Sequence, residues 1–500
     1  MHMLIRKQAG LFMREKPVYI FLLPVFFVLH GYISNYNSIP VRGALLLTIL
    51  YIGCILTITG FAWFFYRSLV KASLAAFFII AFHLFFGVMQ DILKRIFGDL
   101  FISQYRFIIP VSIFFFTVMI IWLKKRKNDL RSLQYYLNAL LAIFILIDIG
   151  RLITKTVNSK DNLLSSGLTQ AVVKCDSCKK PDIYLILLDQ YAGREALMDV
   201  FNFDNSAFEN ELKTRGFHVA ANSRSNYNLT PFSMASTLNM NYLSAEMGVK
   251  KNLNVGYSYQ AIRNSSVVKF LTGDGYRFYN YSVFDFPGQP AHQYGAFLPY
   301  GIKLITTQTL TGRLARDIRS AILEGKLPFK GVQNTIAYEY LHFNEGIAEL
   351  TKTTAASKAS APKFVYAHFI MPHYPYYFDS KGTPVALEKL TGFRKTNTDD
   401  YIGYLQYGNH KVLQLVDSIL IASPQPPVIM LLSDHGFRHP AKKTERRYDF
   451  MNLNAIYLPD KNYSRFDDSI TNVNHFRVFF NSCFGQHFSL LKDSTIDLWD

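Results

Sequence analysis

The chain has 500 residues, of which 50% are hydrophobic, 15% aromatic and 18% charged, a composition that excludes a disordered chain and points to partial embedding in a membrane. Its formal charge of +17 would suit a nucleic-acid binder, but residues 1–131 hold 15 Lys/Arg against 4 Asp/Glu, a surplus of 11 that leaves only 6 for the remainder. Basic residues set among apolar runs report membrane topology rather than a nucleic-acid face, and four cysteines, Cys54, Cys175, Cys178 and Cys483, are too few for a disulfide scaffold.

Five apolar runs, at roughly 17–36, 43–66, 72–92, 105–123 and 133–154, approach the 20 or so residues that a membrane span needs. None reads as a cleaved signal peptide, because no small-residue cleavage site ends the first run and four more follow. Arg6, Lys7, Arg14 and Lys16 precede the first run, Arg67 and Lys71 follow the second, and Lys124, Lys125, Arg126, Lys127 and Arg131 follow the fourth. The excess of Lys/Arg in these connections assigns them to the cytoplasmic side. The outer connections carry Arg42 and then Lys94, Arg95 and Arg106 against Asp99, the last group in mild conflict with that rule. Five spans with a cytoplasmic amino terminus put everything after about residue 155 outside the cytoplasm. Within the runs, His83 is expected to face a neighbouring helix, and Asp148 to pair locally with Arg151.

Residues 156–180 are polar and without apolar period, the pattern of a linker, so the expected division is 1–155 membrane helices, 156–180 linker and 181–500 catalytic domain. Cys175 and Cys178 fall in that linker and suit a local disulfide in an oxidising compartment. PDIYLILLDQ (181–190), KFVYAHFIM (363–371) and PPVIMLLSDHG (426–436) are continuous apolar runs of the kind that form strands buried on both faces of a sheet. Between the last two, Tyr401, Leu405, Val412, Leu415 and Ile419 mark the face of a helix. Strands alternating with helices predict an α/β domain, a mainly parallel sheet covered by helices on both faces. Ligands of such sheets bind beyond the carboxyl ends of the strands, where Asp189, Asp434 and His435 fall.

Each motif alone has a bland alternative. Ser433-Asp434-His435-Gly436 offers a carboxylate and an imidazole at a tight turn, suited either to a metal or to a capping Asp beside a surface His. Asp189 alone suits a helix cap. Thr230-Pro231, opening NLTPFSMASTLNM, suits an N-cap followed by Pro at N1. His368 reads as a buried strand residue, and the basic run after Gly436, with Arg438, His439, Arg446 and Arg447, as a solvated loop or an anion contact. No motif is legible between residues 245 and 360.

Their order along the chain resembles the alkaline phosphatase and sulfatase superfamily: a strand-end Asp189, Thr230 opening a helix, and a late strand running into SDHG. The five apolar runs before it resemble the membrane-bound branch that includes lipoteichoic acid synthases and lipid A phosphoethanolamine transferases. The resemblance implies a five-helix membrane bundle followed by a sulfatase-like domain, with Asp189, Thr230, Asp434 and His435 around one divalent metal ion, zinc or manganese. It makes Thr230 the nucleophile, aligns Ser233 with the serine of the sulfatase motif and brings His373 of HFIMPHYP to the reacting phosphate. His368, Arg438 and His439 would touch substrate. An additional Asp-x-x-x-His pair, which two-metal relatives carry, has no clear equivalent here.

The nucleophile selects among reactions. Sulfatases oxidise a Cys or Ser to formylglycine beside an Arg, and Thr230 with Met234 supplies neither, so sulfate-ester hydrolysis is disfavoured. A threonine hydroxyl activated beside a cation suits two-step phosphoryl transfer. The resemblance thus implies a transferase of the bacterial cytoplasmic (inner) membrane with a periplasmic catalytic domain. It would move phosphoethanolamine or a similar headgroup from a phospholipid donor to an envelope glycan or lipid acceptor. Two alternatives stay open: a membrane-anchored phosphodiesterase or phosphatase with the same site, and an inactive scaffold or binding domain. Asp rather than Glu at position 189 matches hydrolytic branches of the superfamily.

Overall fold

The computed structural model describes residues 14–36, 39–98, 100–127, 130–165, 175, 178–243, 255–292, 301–323, 327, 330–386, 389–390, 398–438 and 445–498. The chain divides into two compact units, one of residues 1–162 with 298–318, the other of residues 163–297 with 319–500.

The first unit is built on α1 (Tyr19–Ser34), α2 (Val41–Tyr66), α3 (Leu69–Phe97), α4 (Tyr105–Lys125) and α5 (Arg131–Ser165). All five apolar runs are helical, and among the described residues α2 to α5 are long and apolar enough to cross a membrane. Among the described residues α1 is the shorter apolar helix, its 16 residues with an internal Pro24 extending roughly 24 Å at 1.5 Å per residue, so length and composition assign four spans and leave the expected fifth unassigned. α3 is the most enclosed, with Ala72, Leu74, Ala76, Leu84 and Phe86 fully buried, whereas α2 and α4 turn Phe61, Phe64, Phe114 and Phe115 outward. An apolar exterior of that kind is what lipid covers. His83 meets the ring of Tyr51 at 6.2 Å. Asp148 pairs with Arg151 at 3.5 Å as expected and, closer, with His30 at 3.1 Å. The helix of α5 runs past residue 156 to Ser165, into the expected linker, because polar residues continue a helix as readily as a loop.

Residues 298–318 were expected in the catalytic half and instead belong to the helical unit. They carry the helix Lys303–Thr306 and the start of the helix Leu310–Leu323. Ile305 is buried in the same apolar core as Leu23, Leu47 and Leu84.

The second unit is an α/β domain on a six-stranded sheet of order β2-β6-β5-β1-β4-β3. The strands are β1 (Ile183–Leu188), β2 (His218–Val219), β3 (Arg277–Tyr281), β4 (Lys363–Phe369), β5 (Val428–Ser433) and β6 (Asn454–Tyr457). β3, β4, β1 and β5 are parallel neighbours, and β6 is antiparallel to both β5 and β2. The sheet is therefore mixed, with only β6 reversed. Every residue of β1, β4 and β5 is buried, which successive side chains on opposite faces permit only if both faces are covered. One face packs Tyr184, Ile186 and Leu188 against Tyr401, Leu405, Val412 and Ile419 of the helix Thr398–Ala422, the stripe predicted from its spacing. Cys175 and Cys178 form a disulfide.

Candidate metal centre

Parallel register sets the site. Leu188 at the end of β1 aligns with Phe369 of β4 and with Ser433 of β5, so Asp189 and Asp434 leave adjacent strands at the same level. Asp189, Asp434 and His435 are fully buried, and one ligand atom from each lies within 4.8 Å of the others. Thr230 is the first residue of the helix Thr230–Asn239, with Leu229 as its N-cap. Its Oγ1 is 3.4 Å from His435 Nε2, at a helix N-terminus, where the backbone favours anions. Thr230 therefore sits one residue inside the cap position expected for it.

The turn that carries Asp434 and His435 is held from several sides. The Gln190 N–H donates to Asp434 Oδ1 at 2.9 Å, and Gln190 has a positive φ of 63°, a conformation that turns its amide back toward the site. The Ser233 hydroxyl donates to the Asp434 carbonyl. The Ser433 hydroxyl donates to the His435 carbonyl at 2.7 Å, and the Ser433 carbonyl accepts from Asn452 at 2.6 Å and Asn472 at 2.9 Å. Gly436 is required sterically: a Cβ there would meet the Tyr448 carbonyl oxygen at 2.2 Å and that of Met451 at 2.5 Å. Gln190, Ser433, Asn452 and Asn472 were not singled out from the sequence, since supporting amides and hydroxyls carry no spacing signature of their own.

The protonation pattern suits a cation. His435 Nδ1–H donates to the Gly436 carbonyl at 2.8 Å, which fixes the tautomer and leaves Nε2 as the lone-pair atom. Burial pushes this imidazole down to about 4, so it is neutral at pH 7. Burial and the charge of Asp434 push Asp189 up to about 8. Burial opposes the charge of Asp434 too, but His435, the Thr230 hydroxyl and the Gln190 amide hold its carboxyl below the ordinary value. Apart from the Thr230 hydroxyl, Asp189 Oδ1 and Asp434 Oδ2 find no hydrogen-bond donor among the described residues. Buried acceptor oxygens without donors, beside a bare imidazole nitrogen, fit a divalent cation with a mixed oxygen and nitrogen shell.

The flanking residues fall as follows. His368, in β4 and fully buried, places Nε2 3.3 Å from Asp189 Oδ2, and burial lowers it to about 4. His373 is buried, donates from Nδ1 to the Tyr374 carbonyl at 2.6 Å and is lowered by burial while feeling the charge of Asp189. Arg438 lies close enough to both carboxylates to feel them, and its carbonyl accepts from Gln190 Nε2 at 3.3 Å. His439 is outside the described residues. Arg446 is drawn to Asp449 and Asp497, and Arg447 to Glu195, Glu445 and Asp199.

No family model and no curated protein matches the sequence. Among solved structures, the chain is similar to the C-terminal periplasmic domain of EcEptC from Escherichia coli in complex with zinc, with 12% identity over 63% of this chain and 86% of that one and a TM-score of 0.38. It is similar to the C-terminal periplasmic domain of the phosphoethanolamine transferase EptC from Campylobacter jejuni, at 14% identity over 64% and 94% with a TM-score of 0.35. A candidate sulfatase from Bacteroides thetaiotaomicron aligns at 13% identity over 56% and 64% with a TM-score of 0.32. At these identities and scores, any functional reading of the chain stands on the geometry of its own site.

Proposed function

We propose that this chain is a metal-dependent phosphoryl-headgroup transferase of the bacterial cytoplasmic membrane, with Thr230 as nucleophile. The observation that carries the reading is the meeting of the Thr230 hydroxyl with Asp189, Asp434 and His435 at the carboxyl ends of β1 and β5. In the first step, Thr230 Oγ1 attacks the phosphorus of a phospholipid, the Oγ1–P bond forms, the bond from phosphorus to the diacylglycerol oxygen breaks, and the proton lost by Thr230 ends on that leaving oxygen. In the second, a hydroxyl of an envelope glycan or lipid attacks the same phosphorus and releases Thr230. A zinc or manganese ion held by Asp189, Asp434, His435 and Thr230 would supply charge neutralisation for the phosphoryl oxygens.

Arg438, next to both carboxylates, supplies a positive charge for the phosphate. His373, expected to stabilise charge on the reacting phosphate or to protonate the leaving oxygen, is better suited to a proton transfer in the second step. Its Nδ1–H is spent on the Tyr374 carbonyl and burial holds the ring neutral, so its Nε2 is the ring's acceptor. That suits taking the proton of the acceptor hydroxyl in the second step better than protonating the leaving oxygen in the first.

The test is incubation of the purified full-length chain with headgroup-labelled phospholipid, with and without a glycan acceptor, followed by intact-protein mass spectrometry. A labelled adduct on Thr230 that disappears when acceptor is added supports the transferase. An adduct that turns over equally without acceptor assigns the second step to water and makes the chain a phosphodiesterase. No adduct and no release under either condition leaves the inactive scaffold as the better account.

A further inference from the structure

The segment 302–317 packs against α1 to α4 at several positions. A Cβ on Gly31 of α1 would lie 2.9 Å from the Ile305 side chain, one on Gly43 of α2 would lie 3.0 Å from Ile302, and one on Gly87 of α3 would lie 2.7 Å from the Gln308 carbonyl oxygen. Arg313 forms a two-pronged pair with Asp91 of α3 at 2.8 and 2.6 Å, and the Tyr105 hydroxyl at the start of α4 donates to Asp317 at 2.7 Å. Gly31 is near the end of α1, Gly43 near the start of α2, Asp91 near the end of α3 and Tyr105 at the start of α4. Since successive helices run in alternate directions, these contacts all lie on the side of the 34–41 and 97–105 connections. In the orientation predicted from the Lys/Arg distribution, that is the outer side.

On the same side stand the basic residues that conflict with that distribution. Lys94, Arg95, Arg106 and Arg316 are exposed. Lys94 and Arg316 both act on Asp317, and Arg106 follows Tyr105, so these three lie around one point. Among the described residues, the carboxylates nearby are already engaged, Asp91 by Arg313 and Asp317 by Tyr105 and the Nε of Arg316. Beside the cations, Ile96, Leu100 and Phe101 are exposed at 65%, 61% and 51%, and the Arg106 guanidinium lies 5.3 Å from the Phe101 ring centre. Exposed apolar side chains alternating with cations are the composition of a surface that sits at lipid headgroup depth.

We propose that the rim formed by Lys94, Arg95, Arg106 and Arg316, braced by the 302–317 segment, binds the phosphate of an anionic glycerophospholipid in the leaflet on that side of the membrane. The apolar residues of the rim enter the acyl boundary while the cations reach the headgroup, and the net positive charge selects an anionic lipid over a zwitterionic one. The binding is independent of the reaction proposed for Thr230 and is read without turnover.

Native mass spectrometry of the full-length protein in detergent, with dioleoylphosphatidylglycerol and dioleoylphosphatidylethanolamine at equal concentration, tests it. The expected result is retention of the glycerol lipid at least about fivefold over the ethanolamine lipid, falling below about twofold in Lys94→Gln/Arg95→Gln/Arg106→Gln/Arg316→Gln. Lys124→Gln/Lys125→Gln, at the opposite end of α4, keeps the preference. Should the combined variant fold poorly by circular dichroism, the single variants Arg106→Gln and Arg316→Gln carry the test, each expected to lower the preference measurably. Equal retention of the two lipids by the unaltered protein, or an undiminished preference in the variants, overturns the proposal.

Discussion

His435 holds its Nε2 3.1 Å from Oδ2 of Asp434, with no proton to bridge them. The imidazole has committed its one N–H to the Gly436 carbonyl, and the carboxyl of Asp434 is held ionised. Two lone-pair atoms at that distance repel unless a cation lies between them or close by. The pair is thus arranged for a ligand, and the consequences can be measured.

Removing ligand atoms should remove the metal. Asp434→Asn and His435→Ala are each expected to drop bound zinc from about one ion per chain to near none, measured by elemental analysis after gel filtration. Thr230→Ala, which deletes an oxygen but no charge, should retain most of it. Equal zinc retention by all three variants would place the ion elsewhere.

Thr230→Ala is expected to lower phosphoryl transfer by at least about a thousandfold, as loss of a covalent nucleophile does, with the thermal midpoint shifted little. Thr230→Ser keeps the oxygen and should keep a measurable fraction of the rate. Activity of Thr230→Ala close to that of the unaltered protein would exclude a phosphothreonine intermediate.

The raised Asp189 fixes the sign of a pH effect. Its carboxyl lies at about 8 in the folded chain and at about 4 when unfolded, so between those values the metal-free folded state binds more protons than the unfolded one. Stability of the chelator-treated protein should therefore fall as pH rises through that window, and Asp189→Asn should be more stable than the unaltered chain at pH 8. Zinc requires the ionised carboxylate, so its stabilising effect should grow over the same window. Melting curves at pH 5 and pH 8, with zinc and with chelator, would show a widening gap; a constant gap would mean that Asp189 takes no part.

Gly436→Ala should be severe. The two carbonyl oxygens a Cβ would meet, of Tyr448 and Met451, belong to backbone and cannot rotate away. A cost of about 3 kcal/mol or more is expected, at the upper end for overpacking, together with loss of zinc. An unchanged melting temperature would show that the SDHG turn is more pliable than its packing implies.

Gly87→Ala tests the attachment of the 302–317 segment. Its Cβ would fall within 2.4–2.9 Å of three Gln308 atoms, two of them backbone, and should lift that segment from α3. Faster tryptic cleavage at Lys303 and Arg313, with cleavage elsewhere unchanged, is the expected readout. Arg313→Ala, which removes one of the two cleavage sites, should raise cleavage at Lys303 more mildly, since its partner Asp91 is half exposed and a partly solvated pair contributes little.

The amino-acid sequence by itself determined the apolar helices, the three central strands and the stripe on the helix Thr398–Ala422, because burial and periodicity are written locally. It also determined which residue types could serve a metal, since Asp189, Thr230, Asp434 and His435 each stand at the boundary of a legible element. Only the tertiary structure decided that these four meet, because their convergence depends on β1 and β5 pairing in parallel across more than 200 residues of chain. Likewise, residues 302–317 carry no legible motif, and their place follows only from the room that Gly31, Gly43 and Gly87 leave for them on three helices. A glycine's missing side chain has no signature until the neighbour that needs the space is in place.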